Sequence, residues 1–386
     1  MHLLLRIAQV ATALLAAAGC PYCILCLWSA RNFRRRRAAA TGFAPPVSIL
    51  KPLRGADPEM YEAFRSHCLQ DYSEYELIFG VSDPHDPAIA LIERLQREFP
   101  ALTIRLAHCP EALGPNVKVS NLAQMLPLAR YDHLIVNDSD IRVPPDYLRR
   151  VMADFTDPRV GMVTCLYRGI AGPSLGSRLE SIGISTDFAA GVLAARYLEG
   201  ISFGLGSTLA FSRRALDAIG GFQPLAEYLA DDYELGHRIA AAGFEVQLSD
   251  VVVDTHLPAY SFSEFVAHQL RWYRAIRDSR PAGYAGMILT FVLPWALAAL
   301  LLSGGSSWGW ALFVIAFALR IAVAFVIGEG VLHDAHLRPR LPLLPLRDIG
   351  ALLLWASSFA GHTITWRGDK FVLDQGKLRP VKSAKS

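Results

Sequence analysis

Two aspartates one residue apart, Asp138 and Asp140, follow a short apolar run at residues 134–136. A run of this kind is typical of a buried strand in a parallel sheet. Ligands of open α/β sheets bind where such strands end. Neighbouring carboxylates repel unless a cation neutralises them, and Mg²⁺ prefers one or two carboxylates together with phosphate oxygens. We therefore predict a site for a divalent cation (Mg²⁺ or Mn²⁺) and a diphosphate, with a plain Asp/Ser turn as the alternative.

Three further positions carry groups that suit the same chemistry. Asp83 follows an earlier apolar run and could hydrogen-bond a base or a ribose. Asp232 lies in an acidic helical stretch and could take a proton from an acceptor hydroxyl, with its neighbour Asp231 as the alternative base. Arg271, followed by Trp272, precedes the apolar C-terminal region, and its guanidinium could neutralise a departing phosphate.

An alternation of strands and helices positions these residues. The pattern predicts a parallel, doubly wound sheet. Strands are expected at 47–50, 75–81, 102–107, 134–136, 160–166, 244–248 and 251–254, and helices at 57–70, 87–99, 116–129, 146–155 and 227–242. Within residues 188–212 we expect a buried helix that begins at residue 188, then a glycine-rich loop at 204–207, then a core strand.

The N-terminal segment is apolar over residues 3–28, long enough to span a bilayer. A cleaved signal peptide is the competing interpretation, but the apolar run is too long and no clear cleavage site precedes the charges. Five arginines within residues 31–37 indicate the cytoplasmic side of the membrane. We expect a bacterial inner-membrane protein whose catalytic domain faces the cytoplasm.

The C-terminal third is apolar again. Two further spans are expected at 287–302 and 308–327, while residues 349–359 are short enough to span or to re-enter. Residues 262–277 predict an amphipathic interfacial helix.

These features divide the chain into six predicted segments. They are a membrane helix (1–30), a basic linker (31–46), a catalytic domain (47–260), an amphipathic segment with an Arg-Trp motif (261–284), a membrane region of two or three helices (285–366) and a polar tail (367–386).

Composition excludes other classes. The formal net charge is only +3, so nucleic acid is not an expected partner. The hydrophobic fraction of 52% and the charged fraction of 19% suit a catalytic domain joined to membrane helices. None of the six cysteines has a metal-ligand spacing with histidines, and their scatter suits a reducing compartment.

Seven motifs, in order along the chain, carry a resemblance to a known family. They are VSILKPL (47–53), NVKVSNL (116–122), DSDIRV (138–143), GMVTCLYR (161–168), ADDYELG (230–236), HQLRW (268–272) and PAGYAG (281–286). With them the chain resembles inverting, cytoplasm-facing membrane glycosyltransferases with a GT-A (Rossmann-like) nucleotide-sugar domain. More narrowly, it resembles the ceramide glucosyltransferase family, family 21, and within it the bacterial hopanoid-biosynthesis branch.

The resemblance implies an α/β GT-A domain with N-terminal and C-terminal transmembrane helices. It implies a UDP-sugar donor and a membrane lipid acceptor, a hopanoid polyol or a ceramide, joined in a β-linked product. N-acetylglucosamine is the sugar expected from the hopanoid branch and glucose the one expected from ceramide-type relatives, with the former modestly favoured.

The resemblance also implies roles for individual residues. Asp83 matches an aspartate that contacts the uracil end of the donor, and Lys118 with Asn121 a basic and amide pair near the nucleotide. Asp138 and Asp140 match the metal and diphosphate aspartates.

Further along the chain, Asp232 matches the general base, and Arg271 and Trp272 end a Q/R-x-x-R-W motif whose first position is His268 here. Gly206 and Ser207 are interpreted as a wall on the acceptor side, with plain close packing as the alternative. His256 could complete a metal shell, as in some GT-A enzymes.

Three alternative functions account for part of this pattern. A processive polysaccharide synthase shares the aspartates but needs more membrane helices. A DxD-type phosphatase would leave Asp83 and the Arg271-Trp272 pair unexplained. A non-catalytic scaffold would not need a carboxylate at every expected site.

Overall fold

The computed structural model describes residues 2–35, 42–57, 59–366 and 368–381. The chain divides into two compact units. The globular unit comprises Arg36–Ile170, Gly200–Pro258 and Asp369–Ser386, and the helical unit comprises Met1–Arg35, Ala171–Glu199 and Ala259–Gly368. Arg36 and Arg37 of the predicted basic segment, most of the predicted linker, and Arg367 and residues 382–386 of the predicted tail lie outside the described residues.

The strands are named in chain order. They are β1 (Val47–Leu53), β2 (Tyr75–Val81), β3 (Thr103–His108), β4 (His133–Val136), β5 (Ile141–Arg142), β6 (Val160–Ala171), β7 (Leu209–Ser212), β8 (Glu245–Leu257), β9 (Thr363–Trp366), β10 (Asp369–Asp374) and β11 (Lys377–Pro380).

The α-helices are named in the same way. They are α1 (His2–Arg35), α2 (Met60–Cys68), α3 (Ala88–Glu98), α4 (Val117–Met125), α5 (Tyr147–Ala153), α6 (Leu175–Gly183), α7 (Ala189–Glu199), α8 (Arg213–Ala218), α9 (Asp231–Ala241), α10 (Phe262–Ser279), α11 (Pro281–Gly286), α12 (Val292–Leu302), α13 (Ser307–Val323), α14 (Leu337–Arg340) and α15 (Leu344–Ser358). Short π-helical segments follow α6 (Ile184–Phe188) and α13 (Ala324–Glu329).

The central sheet of the globular unit has the strand order β3-β2-β1-β4-β7-β6-β8-β5. Its first four strands are parallel, as predicted. The prediction of an entirely parallel sheet was wrong, because β7 pairs antiparallel with β4 and β6, and β5 pairs antiparallel with β8. The sheet is therefore mixed, and its parallel half carries the strand ends at which Asp83 and Asp138 were expected.

Along each strand of this sheet, successive side chains point to opposite faces. Ile49 and Leu77 belong to one buried cluster with residues of α2, α3 and α5. Leu50 and Ile78 belong to a second cluster with residues of α4, α8 and α9. Because neighbouring residues of one strand enter opposite clusters, the strands are buried on both sides, which explains their continuous apolar runs.

Two predicted element boundaries change in the structure. The helix expected at 227–242 begins only at Asp231, because residues 227–229 pair with the C-terminal strands. The two strands expected at 244–248 and 251–254 form one strand, β8, of 13 residues.

The C-terminal strands β10 and β11 form an antiparallel hairpin of the globular unit. Its turn residues Gln375 and Gly376 both have positive φ, as tight hairpin turns require. The hairpin continues onto the loop before α9, since Leu229 N donates to Gly376 O and Leu378 N to Glu227 O.

The helical unit contains the apolar segments. Within the described residues, His2–Arg35 and Ser307–Glu329 are long and apolar enough to cross a membrane. The span predicted at 287–302 is bent rather than continuous, since Pro281–Thr290 and Val292–Leu302 meet at 50°. Helix α15 has 15 residues, fewer than the roughly 20 that a span needs.

Candidate active site

A lysine and two aspartates from three elements of the globular unit meet at the carboxyl end of β4. Lys118 Nζ of α4 lies 2.8 Å from Asp138 Oδ1 and 3.2 Å from Asp231 Oδ2. Burial of Lys118 opposes its charge, but the carboxylates of Asp138, Asp231 and Asp232 raise its pKa well above the usual range. One cation is thus shared by several acids and stays protonated.

Asn116 fixes the relative position of α4 and α9. It is the N-cap of α4, where its side chain accepts a hydrogen bond from Val119 N. Its Nδ2 donates to Tyr228 O at 2.9 Å and to Asp231 Oδ1 at 3.2 Å. Asp231 is therefore bound by both Lys118 and Asn116, which suits an anchoring role better than that of a base.

Asp232, in the first turn of α9, has a different environment. Its Oδ1 accepts a hydrogen bond from Tyr233 N at 2.8 Å. Burial and the neighbouring charge of Asp231 raise its pKa to about 6, against the opposing effect of Lys118. A carboxylate of this kind is ionised at neutral pH and is a stronger base than an ordinary aspartate.

Gly206 lies close to two of these acids. A Cβ built on this glycine would lie 3.1 Å from Asp138 Oδ2 and 3.2 Å from Asp232 Oδ2. The loop that carries it is packed tightly on α9, since Gly204 N donates to Asp232 O and a Cβ on Gly236 would collide with the backbone of Phe203. The glycines therefore allow the loop to pack closely on α9 and on the carboxylates of Asp138 and Asp232.

Asp140 lies deeper than Asp138, whose side chain is 42% exposed. Thr255 of β8 donates a hydrogen bond of 2.5 Å to Asp140 Oδ2. Burial, together with the charge of Asp138, raises the pKa of Asp140 to about 6. His256 N donates to Asp140 O, so β8 is bonded to both the backbone and the side chain of this aspartate.

Lys51, a residue that sequence reasoning missed, lies beneath the two aspartates. It is fully buried, and its Nζ donates to Asp138 O at 3.1 Å. Burial lowers its pKa to about 7, while the charges of Asp140 and Asp138 act in the opposite direction. The sequence did contain an indication of this role, because a lysine within the apolar run of β1 needs a polar partner when it is buried.

Asp83 is exposed beyond the end of β2 and accepts a hydrogen bond from His85 N. Its neighbour Asp86 is buried, with its oxygens bonded by Gly55 N and Ala88 N. Asn121 is buried and bonds Ser82 Oγ and Gly80 O, so its amide holds the end of β2. Of these groups, the Asp83 carboxylate is the one with space for a ligand.

Ser207 is buried and donates to Cys165 O. Its own carbonyl accepts a hydrogen bond from Asn137 Nδ2, and Asn137 also bonds Tyr147 and His67. These contacts make Ser207 part of the support behind Asp138, while Gly206 faces the acids.

Arg271 and Trp272 lie on α10, in the helical unit. Trp272 stands 5.1 Å, ring to ring, from His268 one turn earlier. The nucleotide roles expected for Arg271 and Trp272 stay predictions from the sequence.

The acids at the end of β4 fit a divalent cation. Among the described residues, no three His, Cys, Asp or Glu side chains are grouped as a ligand set. Mg²⁺ beside a nucleotide does not require one, because one or two carboxylates act with the substrate phosphates. Asp138 supplies an exposed carboxylate oxygen on the side away from Lys118, and Asp140 supplies a second carboxylate two residues later.

The profile of glycosyl transferase family 21 matches residues 11–379, almost the whole chain. The chain belongs to this family. It is therefore a glycosyltransferase, as the sequence predicted, and the phosphatase and scaffold alternatives are set aside.

Three named relatives match this chain over different lengths. Ceramide glucosyltransferase 3 of Caenorhabditis elegans is 24% identical over 355 residues, which is 88% of this chain and 75% of that protein. A ceramide glucosyltransferase of Komagataella phaffii is 38% identical over 108 residues, 27% of this chain and 21% of that protein. A β-monoglucosyldiacylglycerol synthase of Synechocystis is 24% identical over 204 residues, 52% of this chain and 41% of that protein.

Among solved structures, a mannosyltransferase of Pyrobaculum calidifontis in complex with GDP-mannose and Mn²⁺ superposes with a TM-score of 0.53 at 20% identity. The alignment covers 90% of this chain and 98% of that one. The predicted GT-A fold is thereby confirmed for this family 21 chain.

Proposed function

We propose that this chain transfers one sugar from a UDP-sugar to a hydroxyl of a membrane lipid, forming a β-linked glycolipid. The donor sugar is N-acetylglucosamine or glucose, and the acceptor is a hopanoid polyol or a ceramide. Relatives named for ceramide and for glucosyldiacylglycerol support a lipid acceptor. The two helices apolar enough to cross a bilayer support a membrane location.

One observation carries the proposal: carboxylate oxygens of Asp138 and Asp232 both lie within 3.2 Å of the position that a Cβ on Gly206 would occupy. A transferase needs a group that neutralises the departing diphosphate and a base that activates the attacking oxygen. The exposed acid after β4 suits the first task and the acid at the start of α9 suits the second. Both groups can act on one bound substrate, because the two carboxylates lie close together at Gly206.

In this proposal Asp232 accepts the proton of the lipid hydroxyl. The oxygen then forms a bond to the anomeric carbon while the bond from that carbon to the UDP oxygen breaks on the opposite face, so the configuration inverts. With a pKa of about 6, Asp232 is mostly ionised at pH 7 and ready to accept the proton.

Asp138 and Asp140 would hold the divalent cation, which supplies positive charge to the diphosphate when bound. Lys118 keeps the surrounding acids from repelling that diphosphate, since it is paired with Asp138 and Asp231. Asp83, with its exposed carboxylate, would contact the uracil end of the nucleotide.

We further propose that the protein resides in a bacterial inner membrane, with residues 47–260 as a catalytic domain that faces the cytoplasm. Residues 1–30 and 285–366 would anchor it. The predicted catalytic domain includes residues 171–199, which the structure assigns to the helical unit.

The test uses the purified full-length chain in detergent with a panel of UDP-sugars, GDP-mannose as a control donor, and ceramide, a hopanoid polyol and diacylglycerol as acceptors. The product is identified by mass. We expect one sugar per lipid, and we expect Asp232→Asn to lower kcat by about 100-fold to 10,000-fold, as removal of a general base does.

Asp217→Asn is the matched control, because Asp217 is exposed on α8 and should leave the rate unchanged. Transfer from GDP-mannose alone would contradict the donor assignment, and products bearing chains of sugars would favour a processive synthase. Full activity in Asp232→Asn would refute the assignment of the base.

A further inference from the structure

Glu180, on α6 of the helical unit, is buried without a hydrogen-bond partner. Its side chain is 1% exposed. Neither carboxylate oxygen has a hydrogen-bond partner among the residues that the structure describes. Buried polar side chains in native proteins are nearly always hydrogen-bonded, so a carboxylate with two unused oxygens calls for a physical reason.

The charge partner of Glu180 is His268 on α10. Its Nδ1 lies 3.3 Å from Glu180 Oε2 but lacks hydrogen-bond geometry, and within the described chain it too is unpartnered. The His268 ring is stacked on Tyr260 at 5.3 Å and stands 5.1 Å from Trp272. Its side chain is 19% exposed, so the pair is not fully enclosed.

Close packing of α6 on α10 fixes this geometry. A Cβ on Gly176 would lie 2.8 Å from Phe265 Cβ, so the two helices touch at this turn. Glu180 and His268 follow these residues by four and three positions, so they face each other one turn further along. Their positions are therefore set by the backbones and not by a bond between the two side chains.

The other acids buried in the same unit are hydrogen-bonded, although the nitrogens Gln269 Nε2, Arg274 Nε and Arg347 Nε also lack a partner among the described residues. Arg320 donates to both oxygens of Asp348 and to Thr186. Ser185 Oγ donates to Asp334 Oδ2 at 2.8 Å. Among the described residues of the helical unit, Glu180 is the acid whose two carboxylate oxygens are both buried without a hydrogen-bond partner.

We propose that Glu180 and His268 form the binding site for the hydroxyl-bearing headgroup of the lipid acceptor. The carboxylate accepts a hydrogen bond from a hydroxyl or an amide N–H of that headgroup, and the imidazole makes a second polar contact. The rings of Tyr260 and Trp272 contact the carbon atoms of the headgroup. The inference rests on the proposed glycolipid-forming function and adds the residues that select the acceptor.

Hydroxyl groups also occur on the donor sugar, so the kinetics must separate the two sources. In Glu180→Gln the side chain keeps its size but loses its charge. We expect the KM for ceramide, in mixed micelles with the full-length chain, to rise by about 10-fold or more, as for loss of a hydrogen bond to a charged group. The KM for the UDP-sugar and kcat at saturating lipid should stay within about twofold of the wild type.

His268→Phe tests the polar role of the ring, because it keeps the stacking on Tyr260 and Trp272 and removes the nitrogens. It should raise the lipid KM in the same way. Glu199→Gln is the matched control, since Glu199 lies on α7 of the same unit with a side chain 52% exposed and should leave both KM values unchanged.

A binding measurement separates this site from the proposed chemistry. Ceramide micelles should raise the melting temperature of Asp232→Asn, which cannot turn over, and should not raise that of Glu180→Gln. An unchanged lipid KM in Glu180→Gln, or a change in the sugar KM alone, would overturn the acceptor site while leaving the transferase proposal standing. If the wild type transfers sugar to no lipid, both proposals fall.

Discussion

The two units of the molecule neutralise acids in different ways. In the globular unit, Lys118 is shared between Asp138 and Asp231, and the side chain of Asp138 is 42% exposed. In the helical unit, Arg320 binds both oxygens of Asp348, and the two side chains are only 7% and 9% exposed. The first arrangement leaves acid oxygens available to a ligand, while the second uses both oxygens of its one acid.

This difference teaches how to separate functional charges from structural ones. A cation outnumbered by its acids keeps a local excess of negative charge, which suits a site that binds a metal ion and a diphosphate. A matched pair has no such excess, and its contribution is to stability. Glu180 belongs to neither group. Both of its carboxylate oxygens lack a hydrogen-bond partner among the described residues, although it lies in the helical unit with the matched Arg320–Asp348 pair. Four experiments test this contrast.

The largest expected effect is a loss of folding free energy when Arg320, the cation of the matched pair, is removed. Arg320→Met leaves Asp348 as a buried, unpaired charge, and breaking such a pair typically costs about 3–5 kcal/mol of folding free energy. We expect a large drop in the melting temperature and in the yield of folded protein in detergent.

The same change at Arg338, whose side chain is 74% exposed in its ion pair with Glu329, is the control and should lower the melting temperature far less. The double variant Arg320→Met with Asp348→Leu should recover much of the stability, because the unpaired charge is gone. A stable Arg320→Met single variant would contradict the structural role.

The shared cation should behave in the opposite way. Lys118→Met should lower kcat/KM for the nucleotide sugar by about 100-fold to 1,000-fold, as for loss of an electrostatic group at a reaction centre. The melting temperature should change far less than in Arg320→Met, since Asp138 can still reach solvent. Lys370→Met, at an exposed position of β10, should change neither quantity.

A methyl group placed beside Asp138 and Asp232 should have a moderate effect on kcat. Gly206→Ala puts a Cβ within 3.2 Å of oxygens of both Asp138 and Asp232. We expect kcat to fall by about 10-fold to 100-fold, because small displacements of reacting groups are costly. Gly42→Ala, where a Cβ would meet nothing within 4 Å, is the control. Normal activity of Gly206→Ala would mean that this point is not where the reaction occurs.

The smallest effect is the response to pH. Because the pKa of Asp232 is raised to about 6, its ionised fraction falls as the pH drops through this value. The rate should therefore be constant near pH 7.5 and should decline by about 10-fold per unit well below pH 6. Melting temperatures at the same pH values show whether unfolding contributes. A rate that stays flat down to pH 5 would exclude Asp232 as a base with this pKa.

The sequence was sufficient for the parallel half of the fold. Apolar runs that end in acids predicted β2 and β4 and the positions of Asp83 and Asp138, because a strand buried on both faces leaves a clear local pattern. Strand direction in the second half has no such local signal. The antiparallel pairing of β7 depends on which loop brings it back beside β4, so it could not be read from the residues of β7.

Within the candidate site, the sequence identified the acids better than their partners. Lys118 and Asp138 lie on different elements, and local sequence patterns give no information on the distance between them. Asn116 and Thr255 were missed for the same reason, since polar residues at a helix start or on a strand are common without function. Glu180 was missed because one acid in an apolar helix resembles a solvated surface residue until its burial is known.

The C-terminal hairpin has a consequence for how the enzyme matures. Strands β10 and β11 are bonded to residues 227–229, the loop that leads directly into the acids of α9. In the order of translation, β11 follows every apolar helix of the chain. A nascent protein on the ribosome thus acquires this support of the loop before α9 only after the apolar helices of the described residues have been synthesised.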